Sequence, residues 1–131
     1  MNDKELVEAV RDRPTMYGLN GTYYPTATYL LGCDMARSGG LLRGFNEWLI
    51  VRKGERSSHM WVALVLKEAI PDFQFTGWKQ LNHLSPEQDQ VAVGLLLSLV
   101  LEFLDVRDDS VKLAGMYAAY HELYALDNGT R

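Results

Sequence analysis

The amino-acid sequence predicts an all-α fold, an orthogonal array or bundle of about six helices in a single helical domain over residues 1–131. Apolar residues recur at intervals of three and four, several segments begin with helix-capping residues, and strand-type alternation is nowhere sustained over five residues. The one expected exception is a short β-hairpin near residues 13–25, where alternation is weakly present around Thr22 to Tyr24.

The first helix is predicted over residues 3–11. Asn2 and Glu5 have the spacing of a capping box, and Pro14 ends the helix because the residue before a proline avoids helical angles. A second helix is predicted to open at Pro25, with residues 22–24 extended before it, and to stop at Ser38-Gly39-Gly40.

Two more helices are predicted in the middle of the chain. Residues 41–53 carry an apolar stripe and are followed by Gly54, a residue type that commonly ends helices. Residues 59–69 are largely apolar, with Ser57 or Ser58 as the N-cap and Pro71 as the stop. We expect this fourth helix to be almost wholly buried.

The last third of the chain contains the strongest helix start. Ser85-Pro86-Glu87-Gln88 combines an N-cap serine, a first-turn proline and a capping-box glutamine, and it predicts a helix over residues 86–106. A final helix, capped by Asp109 or Ser110, is expected to pair with it as an antiparallel hairpin. Before them, residues 72–84 are rich in aromatic side chains and predict a broken helix.

Composition restricts the class of protein. Apolar residues make up 47% and charged residues 23% of the chain, as in ordinary globular domains. Cys33 is the only cysteine, which excludes an internal disulfide and is typical of a reducing compartment. The N-terminus does not resemble a secretory signal, and the apolar run at residues 91–101 is about half the roughly 20 residues that span a membrane. We expect a cytoplasmic protein that does not engage membranes.

The charge is unevenly distributed along the chain, whose net charge is −4. Nine basic and seven acidic residues lie in residues 1–67, against four basic and ten acidic residues from position 68 onward. Nucleic-acid binders concentrate basic residues on one face, so this balance argues against nucleic acid as the partner. An acidic surface could steer a basic protein into contact, or could serve solubility alone.

No cluster of residues predicts catalysis, a cofactor or a metal site. The histidines His59, His83 and His121 fall on three separate predicted elements, without metal-ligand spacing. Cys33 lies on the apolar stripe of its helix, which predicts a core thiol of low reactivity. The glycine pairs lack the Lys-Ser/Thr of a phosphate-binding loop and predict chain reversals.

The most distinctive string is Arg13-Pro14-Thr15-Met16-Tyr17. It resembles a segment near the start of type II topoisomerase ATPase subunits. The metal-holding Glu and Asn expected on the next helix are missing from residues 29–37, so ATP hydrolysis is rejected. Taken as structure, Pro14 sets a helix stop while Met16 and Tyr17 pack beneath the second helix.

A longer resemblance covers about half of the chain. The Arg-Pro-x-Met-Tyr opening is followed by a helix and a Gly-containing break. A helix with the motif Phe-x-x-Trp-Leu, which includes Trp48, and a helix with the motif Ser-x-x-Trp, which includes Trp61, come next. The order is similar to that of small uncharacterised bacterial helical proteins that look like candidate immunity partners of toxins. The resemblance implies a protein-binding function, with these motif residues as core.

The leading hypothesis is therefore a protein-binding module, an immunity protein that neutralises a bacterial toxin, such as a basic nuclease, by direct contact. The predicted contact residues are the carboxylates near the bend between the last two helices: Glu102, Asp105, Asp108 and Asp109.

Two alternatives remain open at this point. The first is a small-ligand-binding protein or enzyme with a histidine near an aromatic pocket lined by Tyr17, Tyr23, Tyr24, Trp61 and Trp78. The second is a regulatory subunit or a homodimer that uses the helix at residues 95–104 as its interface. The sequence does not fix the oligomeric state.

Overall fold

Six α-helices and two short 3₁₀ helices build the fold in the computed structural model, which describes the backbone of residues 1–129 and the side chains of residues 1–125 except positions 80 and 82. The 3₁₀ helices are Pro14–Tyr17 and Trp78–His83. The all-α prediction is confirmed; positions 130 and 131 of the predicted domain lie outside the described residues. The α-helices are α1 (Asp3–Asp12), α2 (Tyr23–Ala36), α3 (Phe45–Lys53), α4 (Trp61–Ala69), α5 (Pro86–Arg107) and α6 (Ser110–Gly129).

Helix α1 begins as its capping box predicts. The Glu5 backbone N–H donates to Asn2 Oδ1 at 2.8 Å, and the Asn2 N–H donates to Glu5 Oε1 at 3.1 Å. The helix runs one residue further than predicted, to Asp12, and Pro14 then opens the first 3₁₀ helix. Its buried face consists of Leu6, Val7 and Val10.

The predicted extended segment before Pro25 is helical, and residues 13–25 contain no strand in the described backbone, so the expected β-hairpin is wrong. Helix α2 begins at Tyr23, whose backbone N–H donates to Asp89 Oδ1 of α5 at 2.8 Å. A carboxylate from a distant helix therefore satisfies one of the free N–H groups at this helix start. Pro25 lies in the first turn, where its missing N–H costs no helical hydrogen bond.

Helices α3 and α4 begin later than predicted. Helix α3 begins at Phe45 and not at position 41, because Gly44 has the left-handed φ of 93° and interrupts the helical path. Leu42 precedes it in a turn, where its N–H donates to Asp34 Oδ1 at 2.6 Å. Helix α4 begins at Trp61 and not at position 59, since Ser57 accepts from the His59 N–H and leaves the helix uncapped by serine.

Helix α5 is the central element of the fold and contacts α1, α2, α3, α4 and α6. It begins at the predicted capping box, in which the Gln88 N–H donates to Ser85 Oγ at 3.1 Å and the Ser85 N–H donates to Gln88 Oε1 at 2.9 Å. Most of residues 95–104 pack inside the chain, so a homodimer would need a different surface. The buried residues of α5 are Ala92, Leu96, Leu97, Leu99, Val100, Phe103 and Leu104.

Helix α6 follows α5 after a two-residue connection. Asp109 caps it, as predicted, by accepting from the N–H groups of Val111 at 3.0 Å and Lys112 at 3.1 Å. It contacts α5 but packs chiefly against α3. Between α4 and α5, the broken helix predicted over residues 72–84 is reduced to the 3₁₀ helix Trp78–His83.

An aromatic cluster joins α3, α4 and α5. The Phe45 ring lies 6.0 Å from Trp48, 5.9 Å from Trp61 and 5.4 Å from Phe103, measured between ring centroids. Trp48 and Trp61 are buried, which confirms their prediction as core residues of the motif. Offset and tilted aromatic contacts of this kind add stability beyond the buried area.

Candidate functional site

The four predicted contact carboxylates lie close together at the end of α5, but they differ in what they do. Glu102, Asp105 and Asp108 are exposed to solvent, whereas Asp109 is half-buried. Asp109 holds two backbone N–H groups at the start of α6, so its main role in the fold is that of a helix cap. Glu102 has no ion-pair partner within 4 Å among the described side chains.

Basic residues accompany the other two carboxylates. Asp105 faces Lys4 of α1 at 3.4 Å, in a solvent-exposed pair that contributes little to stability. Asp108 accepts from the Arg107 guanidinium at 2.9 Å. The surface is thus less acidic than its carboxylates alone suggest, and Glu102 is its only exposed carboxylate without an ion-pair partner among the described side chains.

Arg107 anchors this end of α5 to the rest of the chain. Its guanidinium donates to Asp3 Oδ2 at 2.8 Å and to the carbonyls of Gly40 at 3.0 Å and Leu41 at 3.3 Å. Arg37 forms an ion pair with the other oxygen of Asp3. Local sequence patterns do not predict this network, because its members come from positions up to 104 residues apart.

An apolar groove of about 490 Å³ opens beside Glu102, between α3, α5 and α6. We call it the α3–α6 groove. Arg52 and Lys112 flank it together with Glu102. Its apolar lining combines nearly buried side chains of the core with half-buried ones at the surface: Trp48, Met116, Val51, Val106 and Ala119.

The Arg13 to Tyr17 string is mainly structural. Pro14 opens a 3₁₀ helix, and the Tyr17 ring packs edge-on against Tyr29 of α2 at 5.8 Å, as predicted for a residue beneath this helix. Met16, in contrast, is 70% exposed, so the prediction that it packs there is wrong. In a 3₁₀ helix, adjacent side chains point about 120° apart, so Met16 faces a different direction from Tyr17 and is turned outward. Arg13 is exposed at the end of α1.

The aromatic residues proposed to line a ligand pocket take part in separate packing contacts. Tyr23 is fully buried and donates through its hydroxyl to the Val62 carbonyl at 2.7 Å. Tyr24 packs edge-on against Trp78, with 5.9 Å between centroids. Tyr17 contacts Tyr29, and Trp61 belongs to the aromatic cluster. These rings therefore contribute to several packing contacts.

Cys33 and the histidines do not form one site. Cys33 is half-buried and packs against the core beside Tyr29; burial, with a smaller contribution from Cys33, raises the pKa of Tyr29. His59 contacts Lys67, whereas His121 lies beside Tyr120 on α6. Within the described part of the chain, no three His, Cys, Asp or Glu residues are placed to hold a metal ion.

A polar cavity of about 220 Å³, which the sequence does not predict, lies between the end of α3, the following loop and α4. Its lining includes Lys53, His59 and Lys67, which are too far apart in the sequence to suggest a motif. His59 and Lys67 are eight residues apart in the sequence. This separation indicates a contact between them only when the start of α4 at Trp61 is known.

None of the helices in the described residues is long and apolar enough to cross a membrane. No protein-family model matches the sequence, and comparisons with curated proteins and with solved structures found no match.

Proposed function

We propose that this chain is a cytoplasmic protein-binding module, an immunity protein that neutralises a bacterial toxin by direct contact. The partner is a basic protein domain that places an apolar side chain in the α3–α6 groove. The single observation that carries the proposal is the position of this groove directly beside the carboxylate of Glu102, which has no ion-pair partner within 4 Å among the described side chains. The resemblance of the first half of the chain to candidate immunity proteins supports the finer assignment.

The chemistry of the groove suits a protein partner. Protein interfaces combine an apolar centre, which excludes water and provides most of the binding energy, with a charged rim that guides association. In this chain Val51, Val106 and Ala119 offer the half-buried centre, and Glu102 offers an acidic position at the rim, which also carries Arg52 and Lys112. The exposed pair of Asp105 with Lys4 is weak enough to rearrange when a basic partner approaches.

The structure narrows the set of carboxylates to test. Charge reversal at Asp109 would remove the cap of α6, and loss of a cap costs about 0.5–2 kcal/mol of stability. Reversal at Asp108 would place two positive charges beside each other at Arg107. Glu102 and Asp105 are the positions at which a change in binding can be separated from a change in folding.

The test uses the product of the reading frame immediately upstream, which the proposal identifies as the toxin. Bacteria that express this product are expected to stop growing and to recover when this chain is co-expressed. Ala119→Arg places a guanidinium in the groove and should weaken binding at least about tenfold by titration calorimetry, because a filled groove leaves no room for the partner's anchor.

Ala118→Arg is the matched control, since position 118 is exposed on the same helix and does not line the groove. It should bind and protect like the unmodified chain, with both variants showing the same thermal unfolding. Equal binding by the two variants would remove the groove from the proposal. An upstream product that is harmless and does not bind would contradict the immunity function.

A further inference from the structure

The cavity at the end of α3 has an apolar floor and a basic wall. Its volume is about 220 Å³, below the range of about 300–1,000 Å³ of pockets for drug-sized ligands. Leu49 of α3, Leu64 of α4 and Leu99 of α5 provide apolar surface. Lys53 and Lys67 contribute ammonium groups from two different helices. A pocket of this kind suits a small molecule with one apolar and one charged end.

A contact between two basic side chains fixes the geometry of the wall. Lys67 Nζ lies 3.1 Å from His59 Nε2. An ammonium group can only donate, so Nε2 is the acceptor in this contact. The backbone of His59 is held on both sides, by its N–H to Ser57 Oγ at 3.1 Å and by its carbonyl from Asn46 Nδ2 at 3.1 Å.

Neither Lys53 nor Lys67 forms an ion pair within the described residues. No carboxylate lies within 4 Å of the ammonium of Lys53 or Lys67 among them. Glu68 borders the same cavity, but its carboxylate is paired with Arg52 at 2.5 Å. Glu55, the other acidic residue of the lining, is exposed at the rim.

We propose that this pocket binds a small organic oxyanion, a carboxylate or a phosphate monoester with a short apolar part. The anion lies between the two ammonium groups, where charge-assisted hydrogen bonds are strong, and its apolar part rests on the leucine floor. The pocket and the α3–α6 groove use different faces of α3, since Leu49 and Lys53 line one and Trp48 and Val51 line the other. This proposal therefore stands independently of the protein-binding function.

The test is a titration of the full chain, observed by amide chemical shifts in NMR, with phenyl phosphate, benzoate, inorganic phosphate and benzyl alcohol. We expect saturable shifts in residues 53–67 with phenyl phosphate and benzoate. The ligand that binds more tightly identifies the preferred charged group. Inorganic phosphate should bind at least tenfold more weakly, and benzyl alcohol should give no shift at the same concentration.

Lys67→Met keeps an unbranched side chain of nearly the same length, removes the charge, and should weaken binding of the two organic anions at least tenfold. Lys53→Met is the second pocket variant, at an exposed position where folding is not at risk. Lys79→Met is the matched control, because it changes the net charge equally at an exposed lysine outside the pocket.

Three outcomes would overturn the proposal. The first is the absence of saturable shifts in residues 53–67. The second is an equal loss of binding in Lys67→Met and Lys79→Met, which would reduce the effect to net charge. The third is inorganic phosphate binding as tightly as phenyl phosphate, which would contradict a role for the apolar floor.

Discussion

Tyr23 combines complete burial with a hydroxyl that must remain protonated. Its hydroxyl donates to the Val62 carbonyl at 2.7 Å, and burial raises the pKa of Tyr23 well above its usual value. An unfolded tyrosine ionises near pH 10. The contribution of Tyr23 to stability is therefore fully present below about pH 10 and is lost as the pH rises further, because only the unfolded state releases the proton.

We predict that Tyr23→Phe lowers the free energy of unfolding by about 1 kcal/mol at neutral pH, the usual value of one hydrogen bond. Above pH 10 the unmodified chain should lose stability more steeply than the variant, by up to about 1.4 kcal/mol per pH unit for one proton. Denaturant unfolding between pH 7 and pH 11 measures both effects. Tyr24→Phe, at a ring that packs against Trp78, is the control. Parallel pH profiles for Tyr23→Phe and the unmodified chain would contradict this account.

Single residues were predictable where their partners are close in the sequence. The capping boxes at Asn2 and Ser85 join residues three positions apart, and both are present. The bond from Tyr23 to Asp89 joins residues 66 positions apart. Local pattern cannot reveal such a partner, and for this reason residues 22–24 were predicted to be extended although they begin or precede a helix.

At the scale of elements, the contact between α3 and α6 depends on the absence of a side chain at Gly44. Gly44 has a φ of 93°, and a Cβ there would lie 2.8 Å from the Tyr117 hydroxyl of α6 and 3.5 Å from Phe103 of α5. Gly54, at the other end of α3, has a similar φ of 77° but open space around it. A comparison of substitutions at the two glycines therefore distinguishes the cost of backbone strain from the cost of steric conflict between helices.

We predict that Gly44→Ala and Gly54→Ala both reduce stability by about 1 kcal/mol through left-handed backbone strain, and that Gly44→Ala costs about 1 kcal/mol more. The excess should disappear when both substitutions are compared in a Tyr117→Phe background, because the conflicting oxygen is then gone. Denaturant unfolding of the two glycine variants, with and without Tyr117→Phe, gives the coupling energy between position 44 and the Tyr117 hydroxyl. An excess that persists in this background would show that the Tyr117 hydroxyl is not its cause.

Element boundaries show the same limit of sequence reasoning. The existence and order of the six helices follow from apolar periodicity, and the start of α5 follows from its local cap. The predicted starts of α3 and α4 were each too early by two to four residues. The start of α3 is set by the left-handed conformation of Gly44, and the start of α4 by the Ser57 side chain, which accepts from the His59 N–H. Apolar periodicity predicts neither conformation.

At the scale of the whole molecule, we expect the position of the negative charges, and not only their number, to determine how fast a partner associates. Glu102→Lys and Asp72→Lys change the net charge equally, but only Glu102 lies at the α3–α6 groove. With the upstream product as partner, we predict that Glu102→Lys slows association at least about threefold at low salt and flattens its salt dependence. Asp72→Lys should have a smaller effect. Stopped-flow mixing at several salt concentrations measures the rates, and equal slowing by both variants would attribute the effect to net charge alone.

The candidate site was predictable only in part. The sequence placed Glu102 and Asp105 near the bend between the last two helices, and both carboxylates are exposed there. The groove beside them combines Trp48 and Val51 of one helix with Ala119 of another, and the pocket combines Lys53 with Lys67. Concave surfaces of this kind arise from the packing of helices, which composition and periodicity leave undetermined.

The central position of α5 has a consequence for how the chain is made. Helix α1 packs mainly on α5, and Asp3 and Tyr23 bind Arg107 and Asp89 of that helix. A ribosome synthesises roughly 5–20 residues per second, so about 4–15 s separate the completion of α1 from the first residue of α5. The nascent first third therefore has to remain unaggregated, with its apolar side chains uncovered, until the helix that covers them has been translated.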